Sequence, residues 1–405
     1  MKKGLVALGA LLIICMSIIA IFMVMKQENK KECKINVENV EDVTIEFEES
    51  IPEDPAIVDE SETFLQFNIL SDSTAEIKTG YDGDNNSYIE CDFIIIPQKI
   101  RIDGNVYNVT SIEANAFYGC RYLESVDIPE GVTSIGEETF FNCEFLTGIS
   151  IPESVTNIGA MAFYGCRHLE SIDIPEGVTN IGAGVFGGCS KLSSVNIPMS
   201  VTSIEENTFV QCENLTSIKI QEGLTSIGKS AFYDCANLTN IEIPEGVTSI
   251  GDGAFKGCRS LTNINIPEGV TSIGELAFWE CSSLTSINIP EGVTSIGKLA
   301  FWECNSLTNI NIPESLTSIG DGAFELCKSL TNVNIPESLT SIGDEAFELC
   351  KSLESIDIPE SVTSIGRYAF RNCTNLNVVI DNSEGNVNIG EDAFKNCKSV
   401  KWLKD

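Results

Sequence analysis

The chain has 405 residues, with 59 acidic against 25 basic side chains and a formal net charge of −34. Such an acidic surface argues against a nucleic-acid partner, because phosphate binding needs clustered Lys and Arg. With a single histidine, His168, a multi-histidine metal site is excluded and so are most arrangements for nucleophilic catalysis.

The N-terminus has the pattern of a membrane-targeting segment. Residues 1–3 include two lysines, and residues 4–25 carry no charge and are long enough to span a bilayer as a helix. We expect a membrane anchor at 4–25 with 1–3 in the cytoplasm. A cleaved secretory signal is the alternative, although no small-x-small cleavage site follows. A lipoprotein signal that uses Cys15 fits the sequence less well than either, because the large Ile14 directly before the cysteine suits that processing poorly.

An acidic segment follows at residues 26–63. Between Glu38 and Glu62 there are 11 acidic residues and no basic one, which predicts an extended, self-repelling stalk. The alternation of Val43, Ile45 and Phe47 also fits a short strand packed on the first coil. Cys33, in this segment, and Cys91 beyond it lie outside the cysteine repeat described below, and whether they pair stays open.

Residues 64–108 are predicted to form an N-terminal cap, because their pattern differs from the repeats that follow and a solenoid needs its core covered. Asp82, Asp84 and Asn86 resemble the start of a calcium-binding EF-hand loop. However, Ser87 stands where that loop needs glycine, and Phe93 where it needs the closing acid. We therefore expect a polar turn here and no metal.

A repeat organises the rest of the chain. Cysteines recur every 23 residues from Cys120 to Cys373, then once more at Cys397, and each follows a phenylalanine by three residues. A fixed period of this length is typical of a solenoid. We assign the repeats to residues 109–374, and an irregular last repeat with a C-terminal cap to residues 375–405.

One unit, residues 261–283, shows what each coil is expected to contain. Ile264 and Ile266 alternate as in a strand that Pro267 ends, and a second short strand follows. Gly274 then marks a sharp turn. The spacing of Ala277, Phe278 and Cys281 predicts a short helical or 3₁₀ segment. The fold class is thus α/β but β-rich: a solenoid of about 13 coils, with a parallel sheet on one face and short helical segments on the other.

This pattern, Leu-x-x-Ile-x-Ile-Pro-x-x-Val-Thr-x-Ile-Gly-x-x-Ala-Phe-x-x-Cys, resembles that of the BspA-like leucine-rich repeat proteins over about residues 92–400. The resemblance implies a leucine-rich repeat solenoid on the cell surface that adheres to host, matrix or microbial proteins. It brings no catalytic residues and no cofactor, so we expect no enzymatic activity.

Two surfaces are candidates for ligand contact. Outward strand positions bear Thr, Asn and Ser, which make a flat, repeated polar face suited to a protein or glycan; the candidates are Thr239, Asn240, Thr262, Asn263, Thr285, Ser286, Thr308 and Asn309. Tyr233, Trp279 and Trp302 occupy equivalent positions in nearby coils and form a candidate aromatic patch. A plain packing role fits these aromatics equally well.

The repeated cysteines and glutamates have structural explanations. Cysteines stacked one coil apart cannot converge on a metal, so we interpret them as buried core residues beside the phenylalanines. The glutamate that follows most Ile-Pro pairs forms a solvated acidic row, which Met199 interrupts. Adhesion through the polar face is therefore the favoured function. A spacer without its own ligand is the first alternative and a carbohydrate-active enzyme the second; the oligomeric state stays open.

Overall fold

The structure is a computed structural model that describes residues 57–81, 83 and 87–404. The predicted anchor at 4–25, most of the predicted stalk, Cys33 and the loop positions Asp82, Asp84 and Asn86 lie outside these residues. No helix in the described part has both the length and the apolar character needed to cross a bilayer.

The described chain is a β-solenoid of about 13 turns, in which each coil adds one strand to each of two parallel stacks. The first stack holds the Leu-x-x-Ile-x-Ile segments in two sheets; its strands are Phe93–Ile95, Ser125–Asp127, Gly148–Ser150, Ser171–Asp173, Ser194–Ile197 and Ser217–Ile220, then Asn240–Ile241, Asn263–Asn265, Ser286–Asn288, Asn309–Asn311, Asn332–Val333, Ser355–Ile358, Asn377–Ile380 and Ser399–Trp402.

The second stack holds the Thr-Ser-Ile segments, again in two sheets. Its strands are Asn105–Ile112, Ser134–Ile135, Asn157–Ile158 and Asn180–Ile181, then Ser203–Ile204, Ser226–Ile227, Ser249–Ile250, Ser272–Ile273, Ser295–Ile296, Ser318–Ile319, Ser341–Ile342, Ser364–Ile365 and Asn388–Ile389. Neighbouring strands pair in register, so that Asn263 lies opposite Ser286 and Ile264 opposite Ile287. The 23-residue period therefore places each residue type in its own column.

The N-terminal residues extend the second stack. Strands Ile57–Asp59, Phe67–Ile69, Thr74–Ile77 and Lys99–Ile102 join it, and Glu60–Glu62 form a 3₁₀ helix. Residues 57–63, assigned above to the stalk, thus contain ordered elements. We propose that the segment up to residue 108 caps the core, because the buried ring of Tyr88 packs on Phe117 at 5.4 Å.

The core is a column of stacked phenylalanines with a column of cysteines beside it. Phe255 is fully buried, with ring centroids 5.3 Å from Phe232 and 5.4 Å from Phe278. Each repeated cysteine from Cys143 to Cys373 donates its thiol to the carbonyl of the phenylalanine 26 residues earlier, as Cys281 Sγ does to Phe255 O at 3.1 Å. The cysteines from Cys120 to Cys373 are buried and free, as the sequence predicted.

The predicted helical segments are not confirmed, because the only helices of the described residues are the two 3₁₀ turns at Glu60–Glu62 and Glu384–Asn386. Each coil instead makes a run of turns, in which successive backbone amides donate alternately to the next coil and within their own coil. The amides of Leu276, Phe278 and Glu280 donate to the next coil, whereas those of Ala277 and Trp279 donate within their own coil. Leu276 and Glu280 also have positive φ angles, which interrupt any helix.

Candidate functional site

The predicted polar face lies on the outer side of the first stack of strands. All eight predicted residues are exposed: Thr239, Asn240, Thr262, Asn263, Thr285, Ser286, Thr308 and Asn309. The buried isoleucines between them, such as Ile264 and Ile287, hold the strands against the core. Strand alternation therefore points Asn240, Asn263, Ser286 and Asn309 outward, and the threonine before each of them is exposed where the strand begins.

The threonine hydroxyls of this face are used within the solenoid. Thr262 Oγ1 donates to Thr239 O at 3.3 Å, and Thr285 Oγ1 donates to Thr262 O at 3.2 Å. The side-chain amide nitrogen Nδ2 of Asn263 in turn donates to Thr262 Oγ1 at 3.4 Å. The threonines thus tie each coil to the previous one, and the Asn and Ser side chains are left as the main groups for an outside ligand.

A third column of polar residues belongs to the same face and was missed from the sequence. Asn265, Asn288 and Asn311 are exposed and lie in register one coil apart. The signal was present, since each stands between two isoleucines of its strand. Over four coils, this column and the two columns that begin at Thr262 and Asn263 contain no charged side chain. We call this area the uncharged face. It consists of Thr262, Asn263, Asn265, Thr285, Ser286, Asn288, Thr308, Asn309, Asn311, Thr331, Asn332 and Asn334.

Charged residues surround the uncharged face. In the coil before the uncharged face, Glu242 occupies the third column. In the coil after it, Glu354 occupies the first column and Asp357 the third. The acidic row after each Ile-Pro is also exposed, for example at Glu291 and Glu314, where the amide of Glu314 donates to Glu291 Oε2 at 3.1 Å. Within the described residues, no group of three acidic, Cys or His side chains could hold a metal ion.

The predicted aromatic patch forms a partly exposed column on the turn side of the coils. The rings of Trp279 and Trp302 stack with centroids 4.9 Å apart. Lys256, which the sequence analysis did not single out, occupies the coil between Tyr233 and Trp279, with Nζ 5.4 Å and 4.3 Å from the two ring centroids. The structure thus joins Tyr233 to Trp279 through a cation, and Trp279 to Trp302 by ring stacking.

The repeated cysteines and the single histidine are held in structural roles. Burial raises the pKa of Cys189 and Cys327 to about 12, so these thiols stay protonated and poorly nucleophilic at neutral pH. His168 makes a hydrogen bond between Nδ1 and the Glu144 carbonyl at 2.8 Å, and its ring stacks on Phe145. Packing therefore accounts for the cysteines, and a local hydrogen bond and ring stacking account for His168.

Comparison with known proteins identifies similar chains. A family model described as the BspA type leucine-rich repeat region (6 copies) matches residues 98–216, 202–328 and 295–404. A leucine-rich repeat protein from Bacteroides ovatus is 34% identical, with a TM-score of 0.66 over 82% of this chain and 91% of its own. A leucine-rich cell surface protein from Faecalibacterium prausnitzii is 32% identical, with a TM-score of 0.51 over 80% of this chain and 94% of its own.

A third solved structure, the pneumococcal vaccine antigen PcpA, shares the fold at 18% identity, with a TM-score of 0.53 over 84% of this chain and 86% of its own. Among curated proteins, none matches the chain.

Proposed function

Because the chain belongs to the family of BspA-type leucine-rich repeat proteins, we propose that it is a surface protein that binds a protein or glycan ligand on its uncharged face. The observation that carries this proposal is the absence of charge from that area in a chain of net charge −34. The buried core of a protein interface is depleted of charged residues, so an uncharged area on an acidic chain is a candidate contact surface.

The physical reason is the cost of removing charges from water. A ligand that covered Glu242 or Asp357 would have to desolvate a carboxylate, whereas Asn and Ser side chains can exchange water for ligand hydrogen bonds at little cost. The coil spacing of roughly 4.8 Å repeats these donors and acceptors at a fixed interval, which suits an extended peptide or a glycan chain.

The proposed location rests on the comparisons. The relative from F. prausnitzii is named a cell surface protein, which supports a surface location for this chain too. A signal or anchor at residues 4–25 would bring it there, so this part of our sequence analysis remains a proposal. We further propose that the chain is not an enzyme; in support, the thiols from Cys120 to Cys373 are buried, and burial raises the pKa of Cys189 to about 12.

A charge-insertion experiment tests the proposal. The full-length chain is compared with a triple variant, Asn263→Glu, Ser286→Glu and Asn309→Glu, for binding to immobilised fibronectin, laminin and collagen and to an array of purified glycans. We expect at least one surface to bind the native chain, and the variant to bind it about tenfold or more weakly, because like charges and unpaired carboxylates oppose close contact.

The matched control places the same charges elsewhere in the same coils: Thr271→Glu, Thr294→Glu and Thr317→Glu, all at exposed positions of the second stack. This variant should bind as the native chain does. An equal loss of binding in both triple variants, or no loss of binding in either, contradicts the proposed face. If no surface binds the native chain, the spacer function is supported instead.

A further inference from the structure

An open groove lies beside the stacked tryptophans, where the next coil carries Gly322. The two preceding coils have Leu276 and Leu299 at this position, and the following coil has Glu345. A Cβ at Gly322 would lie 2.5 Å from Leu299 Cδ2, so the leucine leans over the glycine. The groove at this point has a volume of about 490 Å³, and Trp279, Leu299, Trp302 and Gly322 are among the residues that line it.

The groove carries more negative than positive charge. Its lining includes four carboxylates and two basic side chains, namely Asp321, Glu325, Asp344, Glu345, Lys298 and Arg367. Arg367 is already paired with Asp344, with Nε and Oδ2 3.2 Å apart. In the described part of the chain, no ion pair joins Glu325 or Glu345 to a basic side chain.

The electrostatics around Glu325 show that a positive charge would be favourable there. Burial and the nearby negative charges of Glu345 and Glu348 raise the pKa of Glu325, and a hydrogen bond from the Trp302 side chain and the positive charge of Arg371 only partly oppose them. Arg371, the basic residue next in this column, is held by Glu348 at 2.6 Å. A cation entering the groove would therefore meet carboxylates that are incompletely neutralised.

The same aromatic column already holds a lysine of this chain. Lys256 lies one coil before Trp279, with its ammonium 4.3 Å from the indole centroid and 5.4 Å from that of Tyr233. Its position shows that a lysine side chain fits between the rings of this column and gains cation–π attraction there.

A metal ion fits the groove poorly, because no three acidic groups of the described residues converge on one point. An extended organic cation fits better, since its apolar part can cover the indole surface while its charged end reaches the carboxylates. A lysine side chain has this form, with four methylene groups between backbone and ammonium.

We propose that the groove at Gly322 binds a lysine side chain of a partner protein, with the lysine stem against Trp279 and Trp302 and the ammonium group between Glu325 and Glu345. This site is distinct from the uncharged face and does not depend on it. It gives the aromatic patch a ligand of defined chemistry.

Indole NMR signals test the proposal directly, because the chain has three tryptophans and the third, Trp402, lies in the last strand. Full-length chain labelled with ¹⁵N-tryptophan is titrated with N-acetyl-lysine methylamide up to about 20 mM, a range that detects millimolar binding. We expect saturable shifts of the Trp279 and Trp302 indole signals and none for Trp402. The uncharged norleucine analogue should give no saturable shift.

Two variants locate the binding. Glu325→Gln with Glu345→Gln should weaken lysine binding about fivefold or more. Gly322→Leu, which restores the residue found in the two preceding coils at a similar positive φ, should abolish it by filling the groove. Glu314→Gln with Glu337→Gln removes the same charge from the exposed acidic row and should change nothing. Equal shifts with the norleucine analogue, no saturable shift, or full binding by the Gly322→Leu variant overturns the proposal.

Discussion

Truncation of one stacked phenylalanine should destabilise the solenoid strongly and locally. Phe255 is fully buried between the rings of Phe232 and Phe278 at 5.3 and 5.4 Å. Replacing a buried phenylalanine by alanine costs roughly 3–5 kcal/mol in transfer and cavity terms. Each aromatic pair adds about 0.5–1.5 kcal/mol, and Phe255→Ala breaks two, so we expect the upper part of that range.

Hydrogen exchange measured by mass spectrometry on the native full-length chain is the suitable assay, because coils contact only their neighbours and need not unfold together. The amide of Phe255 donates to Ala277 O at 2.8 Å, and the amide of Phe232 donates to Ala254 O at 2.8 Å. In Phe255→Ala, peptides containing these amides should exchange at least about a hundredfold faster, which corresponds to roughly 2.7 kcal/mol.

The control is Phe145→Ala, since Phe145 is 44% exposed and its loss should change exchange little. If Phe255→Ala exchanges no faster than Phe145→Ala, the stacked phenylalanine column is not what holds neighbouring coils together, and the reasoning is refuted.

Three further predictions concern the packing of coils and the buried titratable groups. Gly297→Ala should lower the free energy of unfolding, measured with urea, by about 2 kcal/mol, because the new Cβ would lie 2.6 Å from the Glu275 amide nitrogen. Gly385→Ala is the control, because a Cβ there would have no atom within 4 Å. Burial raises the pKa of thiols such as Cys189 to about 12, so above pH 9 the unfolded chain ionises first and loses protons that the folded chain keeps. Stability should therefore fall as pH rises above 9, and a urea midpoint that stays constant from pH 8 to 10.5 would contradict this. Arg371→Met should lower the urea midpoint by leaving the buried Glu348 carboxylate unpaired, and adding Glu348→Leu should recover most of the lost stability; if the double variant is no more stable than Arg371→Met, the pairing argument fails.

The sequence was sufficient to predict the solenoid, its coil period and its core columns. A strict 23-residue period forces equivalent residues into register, so the buried positions of Phe255 and Cys258 follow from their recurrence. The exposed face follows in the same way, because strand alternation places Asn263 outward once Ile264 is buried. Periodicity thus carries most of the fold and the location of the polar face.

The backbone of the turn side could not be predicted in the same way. The spacing of Ala277, Phe278 and Cys281 fits both a helix and a run of single turns, and neither Leu276 nor Glu280 signals a positive φ. Gly274 was expected to allow a sharp turn, but its φ is not positive. It is required because a Cβ would lie 2.8 Å from the Asp252 amide nitrogen of the preceding coil. Contacts between coils, which a single repeat does not reveal, decide both features.

The groove at Gly322 and the position of Lys256 were likewise missed, because both depend on how one coil differs from its neighbours. A consensus emphasises what repeats, whereas a binding site in a solenoid is made where the repeat is broken. Gly322 after two leucines is such a break, and so is Lys256 between two aromatic residues.

Site-directed blocking of the uncharged face is the most direct test of the central claim. A single cysteine is introduced at Asn288, or at Thr294 in the second stack as the control, and each full-length variant is coupled to a polyethylene glycol maleimide under native conditions. The thiols from Cys120 to Cys373 are buried and should not react, and Cys15, Cys33, Cys91 and Cys397 are replaced by serine in both variants and in the reference chain. Coupling at Asn288→Cys should abolish binding to whichever matrix protein or glycan the native chain recognises, while coupling at Thr294→Cys should leave it intact. Undiminished binding after complete coupling at Asn288→Cys would contradict the account.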